Sequence, residues 1–233
     1  ESGTAAAGVV VLDNSDGAKN GTVQIAKETV SLVAPGTGSF AEMGVVSTAS
    51  GAKTSVKLTT NAAAVTQSAD ALQRGGVNNL WDGMWLGTEL LAESGPAQRN
   101  LIVIAGSADG GSTNTYSSTL AQIRTYGITP HVIAVTGTSV PAGELEQWAA
   151  DAGGTFQSGA DTELAEMVGA VDTRVASQYR LTVVDPPAVD AEFASFEAEI
   201  AGEQVVASYR PGINSIGPDA LAFVDPDEGS GGF

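Results

Sequence analysis

What the chain lacks narrows its chemistry first. Its 233 residues include no cysteine, which removes disulfides, thiolate nucleophiles, cysteine-ligated zinc and iron–sulfur clusters. There is one histidine, His131, so a multi-histidine metal site is excluded. Basic residues are scarce: 10 Lys plus Arg stand against 27 Asp plus Glu, a formal charge of 10 − 27 = −17. Such a chain repels nucleic acid and anionic membrane surfaces, and neither is expected as a partner. Long hydrophobic runs are also missing. Runs such as residues 8–12 and 101–105 fall far short of the roughly 20 residues needed to span a bilayer. The opening ESGTAAAG carries no signal peptide and reads as the start of a mature or trimmed chain.

What is present describes a folded protein. Hydrophobic residues make up 42% and charged ones 16%, with a mean hydropathy of +0.07, unlike a disordered acidic tail. The length suits one larger domain, or one domain with a small companion. With 29 glycines, well above the usual share of roughly 7%, loops are plentiful. The missing cysteine fits an exported protein, and the acidic surplus fits GC-rich coding or a salty habitat.

The first apolar run, GVVVLDNS at residues 8–15, is short, continuous and β-branched, as expected of a strand buried on both faces. It opens into the polar loop DNSDGAKNGT. Residues 23–33 place Ile25, Val30 and Val33 at helical spacing before Pro35 stops the helix. Residues 41–49 and 54–60 read as a hairpin around Ser50–Gly51. Helices follow over residues 61–72 and 79–93, the second largely buried. Residues 101–106 (LIVIAG) and 131–136 (HVIAVT) are two more continuous strands, separated by a helix over 116–126. Pro141 opens a helix over 142–152, residues 155–157 form a short edge strand, and a last helix spans 162–175 with Thr162 as its N-cap. Strands alternating with helices define an α/β fold with a mostly parallel central sheet. Ligands of such sheets bind outside the carboxyl ends of the strands, here the loops 13–22, 75–79, 106–115 and 136–141.

After residue 175 the pattern changes. Residues 178–184, 194–200 and 204–209 alternate polar and apolar, as an antiparallel three-stranded meander with one wet face would. The expected division is 7–175 for the α/β domain, 176–213 for the meander and 214–233 for an acidic, Gly/Pro-rich, loosely held tail.

Four segments together resemble the von Willebrand factor A (vWA) domain: VVVLDNSDG at 9–17, GGVNNLWDGM at 75–84, LIVIAGSADGGS at 101–112, and ITPHVIAVTG with ELEQWAADAGGTFQ at 128–157. They resemble, in order, that family's first strand with its Asp-x-Ser-x-Ser loop, its Gly-Gly-Thr-x-Leu-x-Asp segment, its strand ending in Thr/Ser-Asp-Gly, and its late strand, helix and edge strand. The segment 177–213 further resembles the end of a vWA-related subfamily of acidobacterial exported proteins. The resemblance implies a Rossmann-like fold and a protein-binding or adhesion role, extracellular, periplasmic or at the cell surface.

It also implies where a metal-ion-dependent adhesion site would lie. That site holds Mg²⁺ on oxygen ligands, with one position left for an acidic residue of a partner. Asp13 and Ser15 match its first two ligands, but the second hydroxyl falls at Gly17 and the second carboxylate at Gly106. The threonine position falls at Asn78 if Leu80 and Asp82 align, or at Val77 otherwise. Asp16 and Asp109 lie on the right loops, and Asp109 would have to fold back toward the vacant position to compensate. The expectation is a degenerate site: no cofactor, with Mg²⁺ or Ca²⁺ held by Asp13, Ser15 and Asn78 if by any residues, and a protein-binding face built from Asp13, Ser15, Asp16, Asn78 and Asp109.

No enzyme signature competes. The Gly-x-Ser-x-Gly elbow, the Gly-x-Gly-x-x-Gly turn and the P-loop are all absent. His131 sits at the amino end of its strand, the wrong end for an α/β active site, and is read as structural. Trp81, Trp85 and Trp148 are read as helix packing, Glu192, Glu197 and Glu199 as the meander's solvated face, and Asp225, Asp227 and Glu228 as tail. A structural subunit of an envelope or pilus assembly, joined through a strand edge, is the alternative function; a metal-assisted hydrolase is a more distant one.

Overall fold

The computed structural model describes residues 6–96, 98–177, 194–200, 203–209 and 221–223. The chain divides into two compact units, Glu1–Arg180 and Leu181–Phe233.

In the first unit, the continuous apolar runs become the centre of a sheet. β1 (Ala6–Leu12), β4 (Gln98–Ala105) and β5 (Thr129–Val135) lie side by side, flanked by β2 (Phe40–Ser47) with β3 (Lys53–Thr59) on one side and β6 (Thr155–Gly159) on the other. The order is β3-β2-β1-β4-β5-β6. Every pairing is parallel except β2 with β3, the expected hairpin.

Helices cover both faces, and the alternation of the strands assigns each side chain to one of two cores. Val10 and Leu12 of β1, Ile102 and Ile104 of β4 and Ile133 of β5 pack against α1 (Asn20–Val33), α2 (Ala62–Asp70) and α6 (Leu164–Ala176). Val9 and Val11, Leu101 and Val103, and Val132 pack against α3 (Leu80–Ala92), α4 (Tyr116–Tyr126) and α5 (Ala142–Asp151). α3 comes closest: a Cβ on Gly87 would stand 2.6 Å from Leu101 Cδ1 and 3.1 Å from Val11 Cγ2, so only a glycine admits this approach.

Most expected elements are found within a few residues. α1 starts at Asn20, before the expected Val23. The N-cap expected at Thr162 is corrected. Asp161–Glu163 form a single 3₁₀ turn and α6 begins at Leu164. No side chain caps the first turn of α6; the Glu163 carboxylate instead reaches back across the 3₁₀ turn to accept from the Ala160 N–H at 2.7 Å. A carboxylate there also complements the positive end of the helix.

His131 is fully buried at the start of β5. Its Nε2 lies 3.2 Å from Asn100 Oδ1, and its Nδ1 lies 2.9 Å from Thr155 Oγ1. An amide oxygen can only accept, so the proton sits on Nε2 and the Thr155 hydroxyl donates to Nδ1. Burial, and secondarily the Arg174 charge, lower its pKa from 6.5 to about 4. Trp148 is buried and Trp81 nearly so, tilted against each other at 6.0 Å. Trp85 is half-buried and donates to Glu89 Oε1 at 3.0 Å.

The second unit contains a three-stranded antiparallel sheet in the order β7-β8-β9. β7 (Ala194–Ile200) and β8 (Glu203–Tyr209) match two of the meander strands, while the one expected over 178–184 lies outside the described residues. β9 (Leu221–Phe223) falls in the stretch expected to be a loosely held tail and pairs with Val205–Ala207. Glu192, Asp225, Asp227 and Glu228 lie outside the described residues.

Candidate functional site

The carboxyl ends of β1, β2 and β4 bring three loops together. The Asp13 N–H donates to Ile104 O at 3.0 Å, extending the β1–β4 pairing by one residue and pointing the side chain into the junction. Asn14 ties the loops to one another: its Nδ2 donates to Gln73 O at 2.7 Å and its Oδ1 accepts from the Ala49 N–H at 3.2 Å. Arg74 clamps the first loop from outside, with Nε donating to Ala18 O at 2.9 Å. On the far side, the Ser50 N–H donates to Val77 O at 3.0 Å and the Gly51 N–H to Asn79 Oδ1 at 2.8 Å.

Asp13, only 3% exposed, is the hub. Its Oδ1 accepts from the Ser15 N–H at 3.0 Å. Its Oδ2 accepts from the Ser107 hydroxyl at 2.7 Å, the Gly106 N–H at 3.1 Å and Asn78 Nδ2 at 3.1 Å. Ser15 Oγ and Ser107 Oγ lie 3.0 Å apart, and Asn78 Nδ2 also reaches Ser107 O at 3.1 Å. Four fixed donors therefore meet one buried carboxylate, the arrangement that keeps such a group satisfied away from water.

Of the five expected site residues, the structure brings three together: Asp13, Ser15 and Asn78. The other two turn elsewhere. Asp16 pairs with Arg74 at 3.6 Å with its side chain 66% exposed, and accepts from the Gly76 N–H at 2.7 Å. Asp109 does not fold back toward Asp13. Its carboxylate accepts from the Ser112 N–H at 3.3 Å, the Ser112 hydroxyl and the Trp81 N–H at the start of α3. Asp82 fastens the same loop from the helix side, accepting from the N–H groups of Thr113 and Asn114. A helix N-terminus with unpaired N–H groups draws nearby carboxylates, and that attraction holds Asp109.

Ser107 is the site residue that the sequence reading missed. Its signal was a hydroxyl one residue beyond the vacant Gly106, at the end of the buried run LIVIAG. It fills the space that the family gives to its second loop serine: a Cβ on Gly17 would stand 2.6 Å from Ser107 Cβ and 2.9 Å from Ser107 Oγ. The second vacancy is closed too, since a Cβ on Gly106 would lie 2.9 Å from Ala18 Cβ.

The donor set does not fit the family's divalent ion. A hard cation wants about six oxygens in an octahedron, with carboxylates to balance its charge. Here one carboxylate and two hydroxyls converge, and an amide N–H group, a donor, projects among them. Among the described residues no three Asp, Glu or His side chains gather as a metal cluster. Turning the Asn78 amide over would aim its oxygen at the Asp13 carboxylate. As it stands, Asn78 Oδ1 is buried without a protein partner.

The sheet order, the hairpin edge and the Asp-x-Ser loop at the end of β1 define a vWA-type α/β domain. The sequence profile of the von Willebrand factor type A domain matches residues 9–170, and the chain belongs to that family. No curated protein sequence matches it. Among solved structures, it is similar to a von Willebrand factor type A protein from Catenulispora acidiphila, with 16% identity and a TM-score of 0.68, over 95% of this chain and 56% of that one. It is similar to proximal thread matrix protein 1 from the mussel byssus, with 17% identity and a TM-score of 0.62, over 75% of this chain and 47% of that one. It is also similar to the vWF domain of the type V pili tip protein Mfa5 from Porphyromonas gingivalis, with 9% identity and a TM-score of 0.59, over 78% and 99%. The chain spans about half the length of the mussel protein it matches. The mussel protein has also been solved with a zinc-occupied MIDAS motif. At these identities the likeness concerns the fold. No helix among the described residues is long and apolar enough to cross a membrane.

Proposed function

We propose that this domain is a protein-binding module of the adhesion or structural kind, exported or displayed at the cell surface, whose loop face works without a resident divalent cation. The observation that carries this reading is the occupancy of Asp13: its oxygens are taken by four internal donors, and Gly17 and Gly106 have no room for the two missing ligand side chains. The face that remains for a partner is built from Asp16, Gly76, Val77 and Gly110–Gly111 above the Asp13 hub. Val77 is 55% exposed there, an apolar anchor ringed by glycines, and apolar side chains at the centre of a patch contribute most to protein recognition. The thread-matrix and pilus neighbours support an extracellular setting for the fold. A non-enzymatic role rests on the same hub, whose carboxylate is committed, and on His131, which lies at the opposite end of the sheet from these loops.

Calorimetric titration with Mg²⁺, Mn²⁺ and Ca²⁺ tests this proposal. The expected result is no saturable heat from any of the three. Tight binding that Asp13→Ala abolishes would refute it and reinstate a metal-dependent adhesion site.

A further inference from the structure

The two outer edges of the main sheet are protected very differently. β3, at one end, carries exposed Lys53 and Lys57, and its pairing with β2 is broken by register shifts. Charged residues and bulges of this kind keep an edge from pairing with another chain. β6, at the other end, has the sequence TFQSG and pairs regularly with β5 from His131↔Thr155 to Val135↔Gly159. It has no lysine, no proline and no register shift.

The polarity of β6 follows from one hydrogen bond. Thr136 N–H donates to Gly159 O at 2.8 Å, so Gly159 faces β5. The N–H and C=O groups of one residue point to the same side of a strand, and the side alternates along it. Thr155, Gln157 and Gly159 therefore face inward, while Phe156 and Ser158 present their N–H and C=O groups outward.

Beside this edge runs a groove of about 370 Å³ between β6 and α6, lined by Gln157, Ser158, Glu163, Glu166, Met167 and Ala170. Its floor is Met167, and it approaches the strand where Gly159 has no side chain: a Cβ there would stand 2.6 Å from Glu163 Oε2 and 3.3 Å from Met167 Cε. Glu163 and Glu166 are both exposed, and neither has an ion-pair partner among the described residues.

We propose that the outer edge of β6 is a docking site for an extended, cationic protein segment, which adds as a further strand and lodges a Lys or Arg side chain between Glu163 and Glu166. Backbone pairing to Phe156 and Ser158 supplies the attachment and the groove beside it supplies side-chain selection, the division of labour in strand addition. Charge fixes the occupant. Two carboxylates with no ion-pair partner among the described residues line the groove, Glu163 holding one hydrogen bond from the Ala160 N–H, in a chain that carries −17 overall, so an acidic segment is repelled and a basic one is steered in. This surface is separate from the loops around Asp13.

The test uses the full chain, labelled with ¹⁵N, and two capped peptides: Thr-Val-Lys-Val-Thr and the same peptide with Glu in place of Lys. The Lys peptide is expected to shift the amide resonances of Phe156 and Ser158 saturably, with the Glu peptide much weaker. Glu166→Gln, an exposed change, is expected to weaken the Lys peptide about two- to fivefold, as loss of one surface charge contact does. Ser158→Pro, which deletes an outward N–H, is expected to abolish the response. Three results would each overturn the proposal: equal response to the two peptides, shifts confined to other residues, or unchanged binding in Glu166→Gln. Self-association lost on Ser158→Pro would do so as well, by assigning the edge to a second copy of this chain. Glu166→Gln keeps the test decisive if Ser158→Pro does not fold.

Discussion

Asp13→Ala separates two accounts of the loop junction by the sign of its effect. If Asp13 is a structural hub, alanine removes the acceptor of four donors. Two of them have somewhere else to go, since the Ser107 hydroxyl keeps Ser15 Oγ at 3.0 Å and Asn78 Nδ2 keeps Ser107 O at 3.1 Å. The backbone N–H groups of Ser15 and Gly106 are left buried and unpaired. Each stranded donor costs about 1–3 kcal/mol, so the pair amounts to about 4 kcal/mol, a large part of the roughly 5–15 kcal/mol that holds a domain folded. If Asp13 instead belongs to a vacant cation site, removing it deletes an uncompensated anion, and the metal-free protein becomes no less stable. Urea unfolding followed by tryptophan fluorescence reads the difference. All three tryptophans, Trp81, Trp85 and Trp148, lie in the unit Glu1–Arg180, so the signal reports that unit. The expected loss is the same in EDTA and in excess MgCl₂. A variant as stable as the parent in EDTA would refute the hub, as would a parent whose midpoint rises with Mg²⁺ while the variant's does not.

Two further predictions concern packing and protonation. Restoring the family's carboxylate with Gly106→Asp is expected to cost about 1–3 kcal/mol from overpacking, because its Cβ would lie 2.9 Å from Ala18 Cβ. Adding Ala18→Gly should recover part of that cost in a thermal melt without creating Mg²⁺ affinity. For His131, burial first and Arg174 second set the folded-state pKa at about 4, against 6.5 unfolded. Its contribution to stability is therefore complete above pH 6.5 and lost as the pH falls toward 4, a decline of about 3 kcal/mol. His131→Gln should flatten that part of the pH–stability curve; an unchanged slope would mean that other groups carry it.

The parts of this molecule that could be read from sequence are those governed by local pattern. The continuous β-branched runs at 8–12, 101–105 and 131–135 are buried strands because both faces of the central sheet are covered, and that burial is written directly into composition. Asp13 and Ser15 were legible because they share one loop with a strand end. The fates of Asp16 and Asp109 were not, since each depends on a partner far along the chain: Arg74 for one, the start of α3 for the other. β9 is three residues long, too short to show a period, and only pairing with β8 reveals it. Gly17 and Gly106 show most clearly where sequence reasoning stops. A glycine at a ligand position reads as a missing side chain, which leaves open whether the space still exists. The answer lies with Ser107 and Ala18, whose atoms already stand where the absent side chains would go. Putting side chains back at Gly17 and Gly106 would therefore require changing Ser107 and Ala18, the occupants of that space, as well as the two glycines.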